Sequence, residues 1–125
     1  MRSTTTFRRG QVVVVRVPFT DGSGSKNRPA LVVSAQSFHR GLPDLIVCPI
    51  SSQARYFEKP RPGDWPLARW RTAGLKYPST ARVSNIVAVD KALVGRIVGR
   101  IAREDLEGVD QALRDALGLT HQRTS

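Results

Sequence analysis

Apolar residues in this 125-residue chain fall in short dense blocks separated by polar, Gly-bearing or Pro-bearing breaks. The first block, GQVVVVRVPF from Gly10, has four consecutive valines followed by alternation. β-Branched side chains are stiff in a helix and fit a pleated surface, so the block predicts a strand ending at Pro18. The following TDGSGSKN, residues 20–27, is too polar and Gly-rich to pack and reads as a mobile surface loop. ALVVS from Ala30 predicts a second strand and DLIVCPI from Asp44 a third, with Gly41 and Pro43 in the turn between them. Such short apolar runs between breakers suit buried strands.

From Lys59 to Pro78 the pattern breaks down: the segment holds four prolines, two glycines and both tryptophans. Pro removes backbone donors and fixes φ, so a long irregular loop is expected, with room for a short helix over 67–72. TARVSNIVAVD and LVGRIVGRI then predict two more strands, and Gly95 and Gly99 in the second suggest a bulge or bend. In REDLEGVDQALRDALG the residues Leu106, Val109, Leu113, Ala116 and Leu117 recur at helical spacing. Glu104, Asp105 and Glu107 sit at the positive end of that helix, and Gly118 is placed to cap its exit. Gly108 inside the helix costs up to ~1 kcal/mol relative to Ala. Five short strands and a terminal helix predict one mainly β domain, a small curled barrel with a helix packed on it. Its expected limits are 9–119, with a flexible N-terminus over 1–8 and a frayed tail over 120–125.

Composition narrows what such a domain does. Net charge is +10, and it is uneven: residues 1–80 carry thirteen basic and four acidic side chains, residues 81–125 seven and six. That surplus attracts polyanions and makes their binding salt-dependent, which puts nucleic acid first among ligands. Membrane lipid ranks below it, because no basic amphipathic helix is visible. No apolar run approaches the ~20 residues of a bilayer span, and MRSTTTFRRG offers no signal-peptide core, so a cytoplasmic location is expected. Cys48, the single cysteine, lies in an apolar run and reads as a buried small hydrophobe. No Cys-based metal cluster and no cofactor loop is evident. His39 and His121 are the only histidines, and both are expected at the surface rather than in acid–base work.

Candidate chemistry lies at two strand ends. Asn27-Arg28-Pro29 enters the second predicted strand and CPISSQ, residues 48–53, leaves the third. If those strands are antiparallel neighbours, Arg28 faces Ser51 and Ser52. Pro29 restricts Arg28 to extended backbone, so the guanidinium is presented from a defined position.

Taken in order, RRGQVVVVRVPF, the Gly/Ser loop, RPALVVS, IVCPISSQ, GRI and the final ALGL resemble the MazF/PemK (Kid-like) toxins of bacterial toxin-antitoxin pairs, from Arg9 to Leu119. The resemblance implies an SH3-like barrel of the PemK/CcdB kind. It also implies metal-independent endoribonuclease cleavage of single-stranded RNA at short motifs, leaving a 2′,3′-cyclic phosphate and a 5′-hydroxyl. Arg28 matches the catalytic Arg of the family and Ser51 its catalytic Thr or Ser, with Ser52 the choice if the match shifts by one. The family would further imply a homodimer and a cognate antitoxin whose acidic segment fills the RNA grooves.

The chemistry agrees with the residue types. Attack of a ribose 2′-oxygen on the adjacent phosphorus gathers charge on non-bridging oxygens, which a planar guanidinium holds with two parallel hydrogen bonds. A guanidinium is a poor base near neutrality, so charge stabilisation is the role expected of Arg28. Ser51 can steady the same phosphate or orient the nucleophile. Lys26, Asn27, Ser52, Gln53 and Phe19 are the further RNA-contact candidates, Phe19 as a stacking surface. Trp65 and Trp70 are expected to pack the long loop, and Arg55, Arg61, Arg69 and Arg71 to form a diffuse electrostatic platform. Two other readings remain open: a non-catalytic barrel that binds nucleic acid or protein, and a CcdB-like gyrase poison.

Overall fold

The computed structural model describes residues 5–18 and 20–119. Seven strands run β1 Gln11–Pro18, β2 Ser25–Val32, β3 Asp44–Ser51, β4 Asp64–Pro66, β5 Thr80–Arg82, β6 Val87–Asp90 and β7 Val94–Arg100. Three helices, α1 Gln36–His39, α2 Ala54–Glu58 and α3 Arg103–Leu117, punctuate them. All strand pairs are antiparallel, in the order β4-β5-β3-β2-β1-β7, with β6 also paired to β3. The sheet curls without its terminal strands β4 and β7 pairing, and α3 packs on one side of it.

Alternation along the strands gives the sheet two apolar faces. Val12, Leu31, Cys48, Ile50 and Ala81 fall on one, packed with Leu67 and with Val109 of α3. Val13, Val15, Ala30, Val32, Leu45 and Val47 fall on the other, covered by Phe7. Full burial of each valine, leucine or isoleucine among them contributes roughly 1.5–3 kcal/mol, which fixes the register, since a one-residue slip would exchange the faces. The register of β1 on β7 skips Val98 and Gly95, the irregularity expected near the two glycines. These bulges bend the edge of the sheet.

Several expectations need correction. The strand expected over 80–90 is two strands. Between Ile50↔Ala81 and Val47↔Val87 the later chain uses six residues where β3 uses three, and the surplus is taken up by a 3-10 turn at Val83–Asn85. The Pro-rich segment holds β4, and residues 68–74 form turns in place of the short helix. The polar loop is shorter than expected, because β2 begins at Ser25 and pairs with β1 through Val17↔Lys26 and Arg16↔Asn27. Hairpin pairing to a β-branched strand overrides the low strand propensity of Ser, Lys and Asn.

His39 is buried, contrary to its expected place at the surface. Its Nε2 donates to the carbonyl of Phe7 at 2.8 Å, Nδ1 is hydrogen-bonded to Ser34 Oγ at 2.7 Å, and that oxygen accepts from the Ile46 amide. Phe7, inside the segment read as a flexible N-terminus, is thereby held in the core. Helix α3 is as predicted, with Glu104 and Asp105 in its first turn and Gly118 left-handed (φ 70°) at its exit. Its contact face is narrower than the spacing suggested. Val109 is buried, Leu106, Ala112 and Leu113 pack against the core, and Ala116 and Leu117 are exposed. His121 and the tail over 120–125 lie outside the described residues.

Candidate active site

The ladder between β2 and β3 ends at Ala30↔Pro49. Beyond that pair β2 continues along β1, with Arg28 opposite Val15, while β3 continues along β5, with Ser51 opposite Thr80. The strands fork, and a cleft of about 520 Å³ opens where they part. Arg28, Ser51, Lys26, Asn27, Ser52 and Gln53 all line it. The sequence-derived candidates therefore meet in one place, except Phe19, which lies outside the described residues.

Pleating decides which groups share a face. Directly opposed residues and residues two apart point the same way, so Arg28, Ala30, Pro49 and Ser51 belong to one face of the sheet. Lys26 shares that face and Asn27 faces the other way. Ser51 is half-buried at the end of β3, and its Oγ accepts the Gln53 amide at 3.2 Å. That turn leaves the hydroxyl proton free to donate. Ser52 and Gln53 are exposed beyond the strand, and α2 begins immediately after them.

The cleft brings in residues that the sequence did not single out: Tyr56 from α2, Lys76 and Tyr77 from the Pro-rich segment, Ser79, Arg82 of β5 and Asn85. Tyr77 is 65% exposed. Arg82 Nε meets Asp64 Oδ1 at 2.7 Å, and its guanidinium lies 3.8 Å from the centre of the Tyr56 ring. Nothing in the local pattern marked them: Arg82 arrives through the pairing of β5 with β3, and the others lie on α2 or on segments outside the strands. Lys26, Arg28, Lys76 and Arg82 make the lining cationic, and it contains no carboxylate. By contrast, a cleft of about 410 Å³ beside α3 is lined by Asp64 and Asp115 with a single Arg61.

The tryptophans pack, as expected: Trp65 and Trp70 lie against the core, and Trp65 Nε1 donates to Asp105. The expected diffuse platform of arginines is more specific than that. Arg69 pairs with Glu104 at 3.0 Å, Arg71 lies over Trp70, and Arg55 donates to the Tyr56 hydroxyl. Cys48 is buried as predicted, and desolvation pushes its thiol up to about 12. Among the described residues no group of three His, Cys, Asp or Glu could hold a metal ion. No helix among them is long and apolar enough to cross a membrane.

Solved structures superpose on this curled sheet and terminal helix over most of the chain. An endoribonuclease in complex with its cognate antitoxin from a mycobacterial species superposes with a TM-score of 0.71 at 22% identity, covering 93% of this chain and 99% of that one. A MazE-MazF structure from Deinococcus radiodurans gives 0.74 at 19% identity, with 93% and 99% covered. A second mycobacterial endoribonuclease gives 0.73 at 20%, with 97% and 100% covered. A search of curated protein sequences finds no match. Residues 8–117 match the family model of the PemK-like, MazF-like toxins of type II toxin-antitoxin systems, and the chain belongs to that family.

Proposed function

We propose that this toxin is an endoribonuclease that cuts single-stranded RNA by attack of a ribose 2′-oxygen on the neighbouring phosphorus. The observation that carries the reading is that Arg28 and Ser51 line one cationic cleft free of carboxylates. Two of the similar structures are described as endoribonucleases, one of them with its cognate antitoxin.

In the reaction the 2′-oxygen forms a bond to phosphorus as the bond to the 5′-oxygen breaks. The 2′-hydroxyl gives up its proton and the departing 5′-oxygen takes one, so the products are a 2′,3′-cyclic phosphate and a 5′-hydroxyl. Negative charge grows on the non-bridging oxygens, where the Arg28 fork stabilises it. Ser51 donates to the same phosphate or aligns the nucleophile. Neither step calls on a metal or cofactor. Lys26, Asn27, Ser52 and Gln53 hold the flanking strand, and the +10 chain suits an acidic antitoxin segment as its inhibitor. The same reading expects a cytoplasmic homodimer.

The test is incubation of the purified toxin with mixed-sequence RNA in EDTA beside Arg28→Ala and Arg28→Lys. Cleavage by the parent and a loss on the order of 100- to 1000-fold in Arg28→Ala are expected. Arg28→Lys also falls well short, because a point charge lacks the fork. No cutting by the parent, or equal cutting by all three, contradicts the proposal.

A further inference from the structure

We infer that Tyr56 is the general acid of the cut, giving its phenolic proton to the departing 5′-oxygen. This rests on the ribonuclease reading, which leaves the source of that proton open. Among the described residues the cleft holds no carboxylate, and His39, the only histidine among them, is bonded to Phe7 and Ser34 in the core and does not line it. A guanidinium keeps its proton near neutrality, and a serine hydroxyl is no stronger an acid than the alcohol being released. What remains are the phenols Tyr56 and Tyr77 and the amines Lys26 and Lys76. Tyr77 and both lysines are exposed, whereas Tyr56 is half-buried and held on two sides by arginines.

The backbone ties this phenol to the proposed reacting groups. Ser51 Oγ accepts the Gln53 amide, and the Gln53 carbonyl accepts the Tyr56 amide at 3.2 Å, so one residue joins the end of β3 to the start of α2. The Tyr56 ring rests on the Arg82 guanidinium at 3.8 Å. Strand alternation puts Arg82 on the face where Thr80 opposes Ser51, and Arg28 belongs to that face too. Tyr56 therefore stands on the same side of the sheet as Arg28 and Ser51.

Arg55 donates to the phenol oxygen at 2.8 Å. The oxygen accepts in that bond, so its own proton is free to be given away. Transfer leaves negative charge on the phenol, which the Arg55 hydrogen bond and the Arg82 cation on the ring face both stabilise. Arg82 is itself anchored by the buried Asp64. In the step the 2′-oxygen bonds to phosphorus, the bond from phosphorus to the 5′-oxygen breaks, and the Tyr56 proton goes to that oxygen. The proton of the 2′-hydroxyl passes to water and water restores the phenol, so no proton is gained or lost over a turnover.

The test compares two RNAs of one sequence, the second with sulfur in place of the bridging 5′-oxygen at a mapped cut site. Sulfur leaves as a thiolate and needs no acid. Single-turnover rates in EDTA are measured for the parent, Tyr56→Phe and Tyr77→Phe. Tyr56→Phe is expected to lose about 100-fold or more on the oxygen RNA and less than about tenfold on the sulfur RNA. The ratio of the two rates within one preparation does not depend on how much of it is folded. Tyr56→Leu, which gives up the ring as well, is expected to show the same preference for sulfur. Tyr77→Phe is expected to affect both RNAs alike. Equal losses on the two RNAs, or no loss, in Tyr56→Phe overturn the inference while leaving the nuclease reading intact, as does a sulfur preference appearing in Tyr77→Phe instead. A parent that cuts neither RNA removes the nuclease reading and the inference with it.

Discussion

Trp65 lies on Gly108 so closely that a β-carbon at that helix position would sit 2.5 Å from Cδ2 of the indole, and nearer still to Cε2 and Cζ2. The glycine that weakens α3 as an isolated helix is what lets the helix dock on the long loop. Gly108→Ala is therefore expected to destabilise, although Ala favours helix by up to ~1 kcal/mol. Overpacking against a ring and backbone that cannot both move costs about 1–3 kcal/mol. A thermal melt several degrees below the parent checks this, and an unchanged or higher Tm would contradict it.

Asp105 extends the same junction. Its carboxylate accepts from Trp65 Nε1 at 3.1 Å and from the amides of Ala68 and Arg69 at 2.8 and 2.9 Å, all from inside a completely buried side chain. Asp105→Ala leaves these donors unpaired and is expected to cost about 3 kcal/mol or more. Asp105→Asn, which keeps one acceptor oxygen, is expected to cost less. Urea unfolding of the two variants measures the order.

Cys48 gives a pH dependence whose sign follows from burial. Desolvation raises the native thiol from 9.0 to about 12, so between those values the unfolded chain has released a proton that the native state still holds. Stability from this group is complete below pH 9 and falls as pH rises, by at most about 1.4 kcal/mol per pH unit. The stability gap between the parent and Cys48→Ala is expected to narrow above pH 9. Alkylation of the native thiol at pH 8.5 should be negligible until the chain is unfolded in urea.

Ser51 and Ser52 adjoin in sequence and differ in the sheet. Ser51 ends β3 on the face that alternation gives Arg28, and Ser52 lies beyond the strand. Ser51→Ala is expected to slow RNA cleavage about 100-fold or more, and Ser52→Ala by less than about tenfold. Single-turnover rates on one RNA separate them, and the opposite order would transfer the role to Ser52.

These residues also show how far a one-dimensional reading extends. β1, β2, β3 and α3 were legible because each buries a face whose period matches its geometry, and Gly118 marks the helix exit. Arg28 and Ser51 were legible because a short connection makes β2 and β3 neighbours. Arg82 was not, since it reaches the cleft only through the pairing of β5 with β3, and neither was Tyr56, carried by the short helix α2 that the pattern after Gln53 did not predict. His39 was misplaced for a similar reason: its partners Phe7 and Ser34 come from different segments, and histidine carries no signal of being satisfied inside. The break at Val83–Asn85 follows from β5 and β6 sharing one edge of β3, a relationship that a β-branched run conceals.

The most direct test of the central claim replaces a single 2′-hydroxyl. Once the ends of cleaved RNA locate a cut, the same RNA is made with 2′-deoxyribose only at the nucleotide 5′ of that bond, and incubated with toxin in EDTA. Cutting there should stop while cuts elsewhere continue, because the nucleophile is gone and the phosphate is intact. Continued cutting at the deoxy position would show that water or another group attacks, and would contradict the mechanism assigned to Arg28 and Ser51.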